Sequence, residues 1–387
     1  MNKKELELYI HIPFCVRKCS YCDFLSAPAT EQTREAYMAA LFAEIGGRAK
    51  DYSDRTVTSI FIGGGTPSLL SGEQIGQLMD RIREQFAMAQ DAEITMEVNP
   101  GTASAEKLRN FYTAGINRLS IGMQSAQAEE LKNLGRIHDF EGFCQVYREA
   151  VEAGFTNINV DIMSGLPGQT LASYRDTLEK VLHLEPMPQH ISAYSLIVEE
   201  ETPFAAMAER GELPLPEEET ERAMYEETIE VLAKYGFHRY EISNYARDGY
   251  ECRHNVGYWI RRDYLGFGIG AASLIDNVRF QNEKSLGAYL AHPLESREEE
   301  QTLTVQDRME ETMFLGLRLT RGVSCVDFAE QYGRTVEEVY GEVIARNVAD
   351  GLLTVTERKE NQKKDRFLAL TKRGLDLSNY VMAQFLF

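Results

Sequence analysis

The chain has 387 residues, an apolar fraction of 43% and a formal net charge of −19. That length exceeds one ordinary core, so a large domain plus a smaller one is expected. The acidic balance argues against a nucleic-acid partner and against a general polybasic attachment to anionic lipid, while leaving room for a local basic patch or a protein partner.

The start, Met1-Asn-Lys-Lys-Glu-Leu-Glu, carries no apolar targeting core, and no apolar run reaches the ~20 residues of a membrane span. A cytoplasmic location is therefore expected, where thiols stay reduced and the six cysteines read as ligands or core residues. Cys144 and Cys325 are scattered and read as small buried hydrophobes.

From residue 6 to about 200 the pattern alternates. Short β-branched or apolar runs occur at 6–12, 57–62, 94–98, 118–121, 158–163 and 190–197, with helical stretches at 31–48, 72–86, 104–114, 140–153 and 170–184 between them. In the second of these, Ile75, Leu78, Met79 and Ile82 recur at the spacing of one helix face. Ser104 stands as a cap ahead of Leu108 and Phe111. Such alternation predicts parallel strands joined by right-handed crossovers, an α/β partial (β/α)6 barrel with ligands at the carboxyl ends of its strands. The segments Gly63–Pro67, Asn99–Gly101, Gln124 and Gly165–Gly168 all fall at such ends.

The expected division is a barrel core over 1–200, a barrel extension over 201–300 and a C-terminal winged-helix-like domain over 301–387. In the extension a charged link at 214–222 starts a helix to about Tyr235, and 237–275 reads as irregular and aromatic-rich. The acidic run 296–301 reads as a linker. Beyond it come helices near 306–318 and 335–349, a two-stranded wing from 352–355 and 366–370, and a final helix. This section has no dense basic helix, so a structural or gating role is expected over nucleic-acid binding.

Cys15, Cys19 and Cys22 follow the first apolar run within eight residues. Three thiolates on one short loop can face a common hollow and hold an iron–sulfur cluster with one iron left open. Zinc is the alternative, although structural zinc takes four ligands, and His11 lies on the strand before the loop. Unliganded cysteines are the third reading.

The Cys15-x3-Cys19-x2-Cys22 spacing, with Tyr21 just before the third cysteine, resembles the radical S-adenosylmethionine (SAM) superfamily. The resemblance implies a [4Fe-4S] cluster on the three cysteines, its open iron chelated by the amino and carboxylate groups of SAM. It also implies that Gly64, Gly65 and Thr66 meet the methionyl amino group. Glu97 would pair with that ammonium or the ribose, and Gln124, Arg136 and Asp161 would be later SAM positions, Arg136 a partner for the methionyl carboxylate. Tyr9 and Tyr21 are expected at the same mouth.

The whole chain resembles the oxygen-independent coproporphyrinogen III oxidase branch. The resemblance rests on Tyr9-Ile-His-Ile-Pro-Phe14, Gly63–Ser68, Glu97-Val-Asn-Pro100, Ile121-Gly-Met-Gln-Ser125, Asp161-Ile-Met-Ser-Gly-Leu-Pro-Gly168 and Leu368–Asn379. The oxidases carry a fourth cysteine where this chain has Phe24, and a longer N-terminal segment than the few residues found here. Both departures, with His254-Asn255-Val-Gly-Tyr258-Trp259, resemble the haem-chaperone relatives of that branch. His254 is then the candidate axial ligand, Tyr258 and Trp259 a flat apolar wall, Asn255 a motif member and Cys252 an alternative thiolate. The resemblance implies a protein that binds haem as cargo and passes it to acceptor haem proteins, with peripheral membrane contact and homodimerisation open. The competing reading is oxidative decarboxylation of a porphyrinogen through a SAM-derived radical.

Overall fold

A computed structural model describes residues 4–360 and 363–386. The first strand, β1 (Lys4–Ile12), has Leu6, Leu8, Ile10 and Ile12 fully buried on one face, and Glu7 and His11 buried on the other. Burial of both faces is the mark of an inner strand of a parallel sheet. The chain then alternates through α1 (Glu31–Arg48), β2 (Arg55–Gly64), α2 (Gly72–Gln85), β3 (Ala87–Val98), α3 (Ala105–Thr113), β4 (Arg118–Gln124), α4 (Ala128–Leu134), α5 (Phe140–Ala153), β5 (Ile158–Ser164), α6 (Leu171–Leu182) and β6 (His190–Ser195).

Side-chain caps set the helix starts. Ser71 and Thr170 form reciprocal capping boxes with Gln74 and Ser173, and Ser104 accepts from Lys107 N as its position predicted. Apolar faces then dock on the sheet: Ile75, Leu78, Met79 and Ile82 of α2 are all fully buried. Strands β1 to β6 pair in sequence order, each parallel to the next.

The extension departs from expectation. After α7 (Pro203–Glu209) and α8 (Glu218–Lys234), the stretch read as irregular contains β7 (His238–Arg239), β8 (Asn244–Ala246), α9 (Arg253–Trp259), β9 (Tyr264–Phe267) and β10 (Ala272–Ile275). Strand β9 pairs parallel to the free side of β1 and becomes a seventh parallel strand. Strand β11 (Val278–Asn282), helix α10 (Leu286–Ala291) and β12 (Arg297–Thr302) follow. The acidic run read as a linker is therefore an edge strand, antiparallel to β11. All its side chains are exposed, so no apolar alternation marked it. The twelve-stranded sheet runs β12-β11-β10-β9-β1-β2-β3-β4-β5-β6-β8-β7 and stays open.

The last section comprises α11 (Val305–Gly316), β13 (Val323–Ser324), α12 (Cys325–Tyr332), α13 (Val336–Ala349), β14 (Leu353–Glu360), β15 (Lys363–Leu370), α14 (Lys372–Asp376) and α15 (Ser378–Ala383). Its wing has a third strand, in the order β13-β15-β14. Met313, Leu317, Phe328, Leu368, Val381 and Phe385 close a core distinct from that of the large sheet.

Candidate cofactor site and the cavity beside it

The cysteine loop hangs from the carboxyl end of β1 and is clamped by backbone. Cys15 N donates to Ala27 O at 3.2 Å, Ala27 N to Pro13 O at 2.9 Å, and Ser20 N to Leu134 O at 3.0 Å. From β2, Gly65 N reaches Ile12 O at 2.8 Å and Thr66 N reaches Phe14 O at 2.7 Å. A side chain at Gly65 would place its Cβ 2.7 Å from Phe14 O and 2.8 Å from Ile12 O, so only glycine permits this approach. Arg17 donates to Gly135 O at 2.6 Å, tying the loop to the turn after α4. Two thiols have donors nearby: Thr66 Oγ1 lies 3.4 Å from Cys15 Sγ, and Arg136 Nη1 lies 3.9 Å from Cys19 Sγ.

All three cysteines face one cavity of about 410 Å³, and Tyr21, Gly64, Gly65, Thr66, Glu97, Gln124, Arg136 and Asp161 line it with them. Glu97 Oε2 accepts from Gly64 N at 3.0 Å. Burial, and then the neighbouring Asp161 carboxylate, push the Glu97 carboxyl up to about 7. Burial likewise raises Asp161, whose oxygens accept from Asn159 Nδ2 at 2.7 Å and Ser120 Oγ at 3.1 Å. Arg136 is held by Gly122 O at 2.7 Å, and its buried Nε has no partner. Gln124 sits at a φ of 69°, a left-handed backbone uncommon for a residue with a side chain.

The donor set fits the groups that the sequence resemblance implies. No three His, Cys, Asp or Glu side chains among the described residues converge on a single-ion site. Thiols spread round a hollow suit a four-iron cube, which offers each thiolate its own iron corner. Facing them, two carboxylates and a guanidinium with a spare donor match an ammonium, a diol and a carboxylate on one small molecule.

Sequence reasoning missed Arg118, Asn159, Ser192 and Tyr194, which also line this cavity. Arg118 is 2% exposed in a strand whose seven residues are all buried. A charged residue opening an otherwise buried strand was the available signal.

Tyr9 does not line the cysteine cavity. It lines a second one of about 550 Å³ with His11, Tyr258, Trp259 and Tyr264. The two cavities share a wall of Phe24, Phe61, Gly64 and Glu97. The His-Asn-x-x-Tyr-Trp residues, carried on α9, are divided between them. Asn255 lines the cysteine cavity, and Tyr258 and Trp259 line the second. His254 lines neither.

The expectation that His254 offers a ring nitrogen to haem is not met in this arrangement. It is 1% exposed, with Nδ1 2.9 Å from Ser59 Oγ and Nε2 3.0 Å from Tyr258 Oη. Burial, then the positive fields of Arg118 and Arg262, depress it to about 3, so the ring is neutral and anchors α9 to β2. Cys252 is no better placed as a thiolate. It is fully buried, its Sγ lies 3.4 Å from Glu93 Oε1, and burial pushes it up to about 12.

An open sheet with a parallel centre and a three-cysteine loop at the carboxyl end of its first strand, facing a glycine turn and two carboxylates, defines the class. The model of the radical SAM superfamily matches residues 9–181, and that of the HemN C-terminal domain matches residues 303–377. The haem chaperone HemW of Bacillus subtilis is 38% identical over 385 residues, covering 98% of each chain. That of Escherichia coli is 37% identical over 358 residues, covering 90% of this chain and 92% of its own. The solved structure of the radical SAM enzyme coproporphyrinogen III oxidase (HemN) from Escherichia coli superposes with a TM-score of 0.84 at 28% identity, covering 99% of this chain and 90% of that one. The chain belongs to the haem chaperone HemW family of the radical SAM superfamily.

Proposed function

We propose that this protein binds haem and hands it to acceptor haem proteins, on a scaffold that carries a [4Fe-4S] cluster and SAM. The observation that carries the reading is the second, largely apolar cavity, which abuts the cysteine cavity through a shared wall. At about 550 Å³ it falls within the common size range of cofactor sites. Cys15, Cys19 and Cys22 would hold the cluster. Glu97 would take the ammonium of SAM and Arg136 its carboxylate, with Gly64, Gly65 and Thr66 supplying the close backbone edge. The cluster with SAM supplies radical chemistry when it is reduced. What this chain adds is a carboxylate and an aromatic ring, Glu97 and Phe61, that face both compartments.

Phe24 is 59% exposed at the mouth of both cavities, where the oxidases carry a fourth cysteine. That substitution favours a chaperone over a porphyrinogen decarboxylase. The decarboxylase reading draws on the likeness to the oxidase structure. Anaerobically reconstituted protein should shift the Soret band of micromolar haem and should leave coproporphyrinogen III intact in the presence of SAM and reductant. Loss of two carboxylates from that substrate, without a Soret shift, overturns the proposal in favour of the oxidase.

A further inference from the structure

The second cavity has one end that its apolar walls do not explain. Arg261 follows α9 and Arg279 comes from β11. Both point at Glu311 of α11: Arg261 Nε lies 2.8 Å from one carboxylate oxygen and Arg279 Nη2 lies 2.7 Å from the other. Two guanidinium groups share one carboxylate at contact distance, so this end is cation-rich in a chain of net charge −19, although Asp307 acts on Arg279 from further off and Glu97 also lines the cavity. Both arginines line the cavity.

The surplus is also visible atom by atom. The Arg261 side chain is 4% exposed, and its Nη2 is buried with no partner. Such a donor is costly to leave unpaired, and its cost is recovered when an acceptor arrives. Arg261 also holds a φ of 57°, one residue beyond the helix cap, where glycine would sit without strain. Backbone strain that aims a buried, half-satisfied cation into a cavity marks a binding position. Around it stand the flat rings of Trp259 and Tyr264, with Leu315 of α11 closing one side.

We propose that this cavity is the haem seat, with Arg261 and Arg279 holding a propionate as the second counter-ion beside Glu311. The assignment rests on the chaperone reading and deepens it. A flat apolar macrocycle with carboxylates at one edge matches apolar walls with a cationic end. A neutral apolar ligand would leave the Arg261 donor unpaired, and a polyanion such as a nucleotide phosphate would bring more negative charge than two arginines already shared with Glu311 can balance. Trp259 and Tyr258 of the motif then act as walls, and His254 acts as the anchor behind them.

The test is haem titration of the full-length, cluster-reconstituted protein, followed by the Soret band and by quenching of the single tryptophan, Trp259. Two variants are used: R279Q, at a side chain 40% exposed, and R261G, which keeps the left-handed backbone. Each should weaken haem binding about tenfold or more, as loss of a charged hydrogen bond does. Haem with both propionates esterified should bind wild type with the same deficit, and R279Q should add little to it. If wild type binds haem and its diester alike and R279Q changes neither, the seat lies elsewhere while the chaperone reading stands. If wild type binds no haem at all, the chaperone reading falls.

Discussion

Glu97 and His254 bear opposite relations to acid, and both follow from burial. The Glu97 carboxyl, raised to about 7, contributes stability that is fully present below its ordinary value of 4.5 and lost as pH rises through 7. His254, depressed to about 3, contributes stability present above its ordinary 6.5 and lost as pH falls through 3. Denaturation of the apoprotein should therefore show opposed slopes: E97Q removes the fall between pH 4.5 and 7, and H254Q removes the rise between pH 3 and 6.5. At neutral pH E97Q should be the more stable apoprotein, by up to ~3 kcal/mol, and the weaker SAM binder. H254Q should lose stability yet keep the haem Soret position, because its ring nitrogens are engaged by Ser59 and Tyr258. A changed Soret position in folded H254Q would make His254 a ligand after all.

At the scale of elements, the cysteine loop is shaped less by its own residues than by the turn after β2. That turn gives two backbone bonds to the start of the loop, from Gly65 N–H to Ile12 O and from Thr66 N–H to Phe14 O. In G65A the new Cβ must push on Ile12 and Phe14 backbone, which cannot rotate away as a side chain can. The expected outcome is a folded protein, normal in far-ultraviolet circular dichroism, that takes up well under half the iron and sulfide of wild type on anaerobic reconstitution. Full loading would mean that the loop tolerates the displacement.

The long elements were legible in the sequence because their periodicity ran for nine residues or more. Helices α1, α2, α3 and α5 lie within a residue or two of the ranges the pattern predicts. Helices α4, α7, α9 and α12 span only seven or eight residues, too few turns for an apolar stripe to repeat. Two of these matter to the sites. Helix α4 ends on Gly135 in a left-handed cap that delivers Arg136, and α9 carries the motif that divides between the cavities. Strand β9, four residues ending in Gly-Phe, was unreadable locally because β1 is what makes it a strand. The cysteines, glycines and carboxylates were legible because their types and order carry the chemistry. The paired arginines were not, since Arg261, Arg279 and Glu311 come from three distant segments that only the fold assembles.

For the whole molecule, the C-terminal section is fastened to the sheet domain by polar contacts and by Leu319, which packs with Tyr240, Ala246, Val256 and Trp259. Glu311 grips two arginines, Arg318 stacks over Trp259 at 4.3 Å, and Thr320 N donates to Tyr240 O at 2.9 Å. Arg222 of α8 adds a bond to Asp376 at 2.8 Å. Removing one partner of a buried ion pair costs about 3–5 kcal/mol, because the remaining charge is left uncompensated. E311A should therefore detach the section before either core melts. Calorimetry would show two transitions where wild type shows one, and amide exchange would rise first in α11. A single, merely lowered transition would mean that the two cores unfold as one unit.

The seating of β1 between β2 and β9 has a consequence for how the protein is made. Glu7 pairs with Tyr264, so the strand that carries the cysteine loop waits on a neighbour 257 positions later in the chain. At ordinary translation speeds of about 5–20 residues per second, that interval is on the order of ten to fifty seconds. Through it the three thiols leave the ribosome on a strand with one open side, and the second cavity has neither Trp259 nor Arg261. The cysteines are among the earliest site residues synthesised, yet β1 gains its second neighbour only when β9 emerges, so stable cluster loading is expected after that point and not before it.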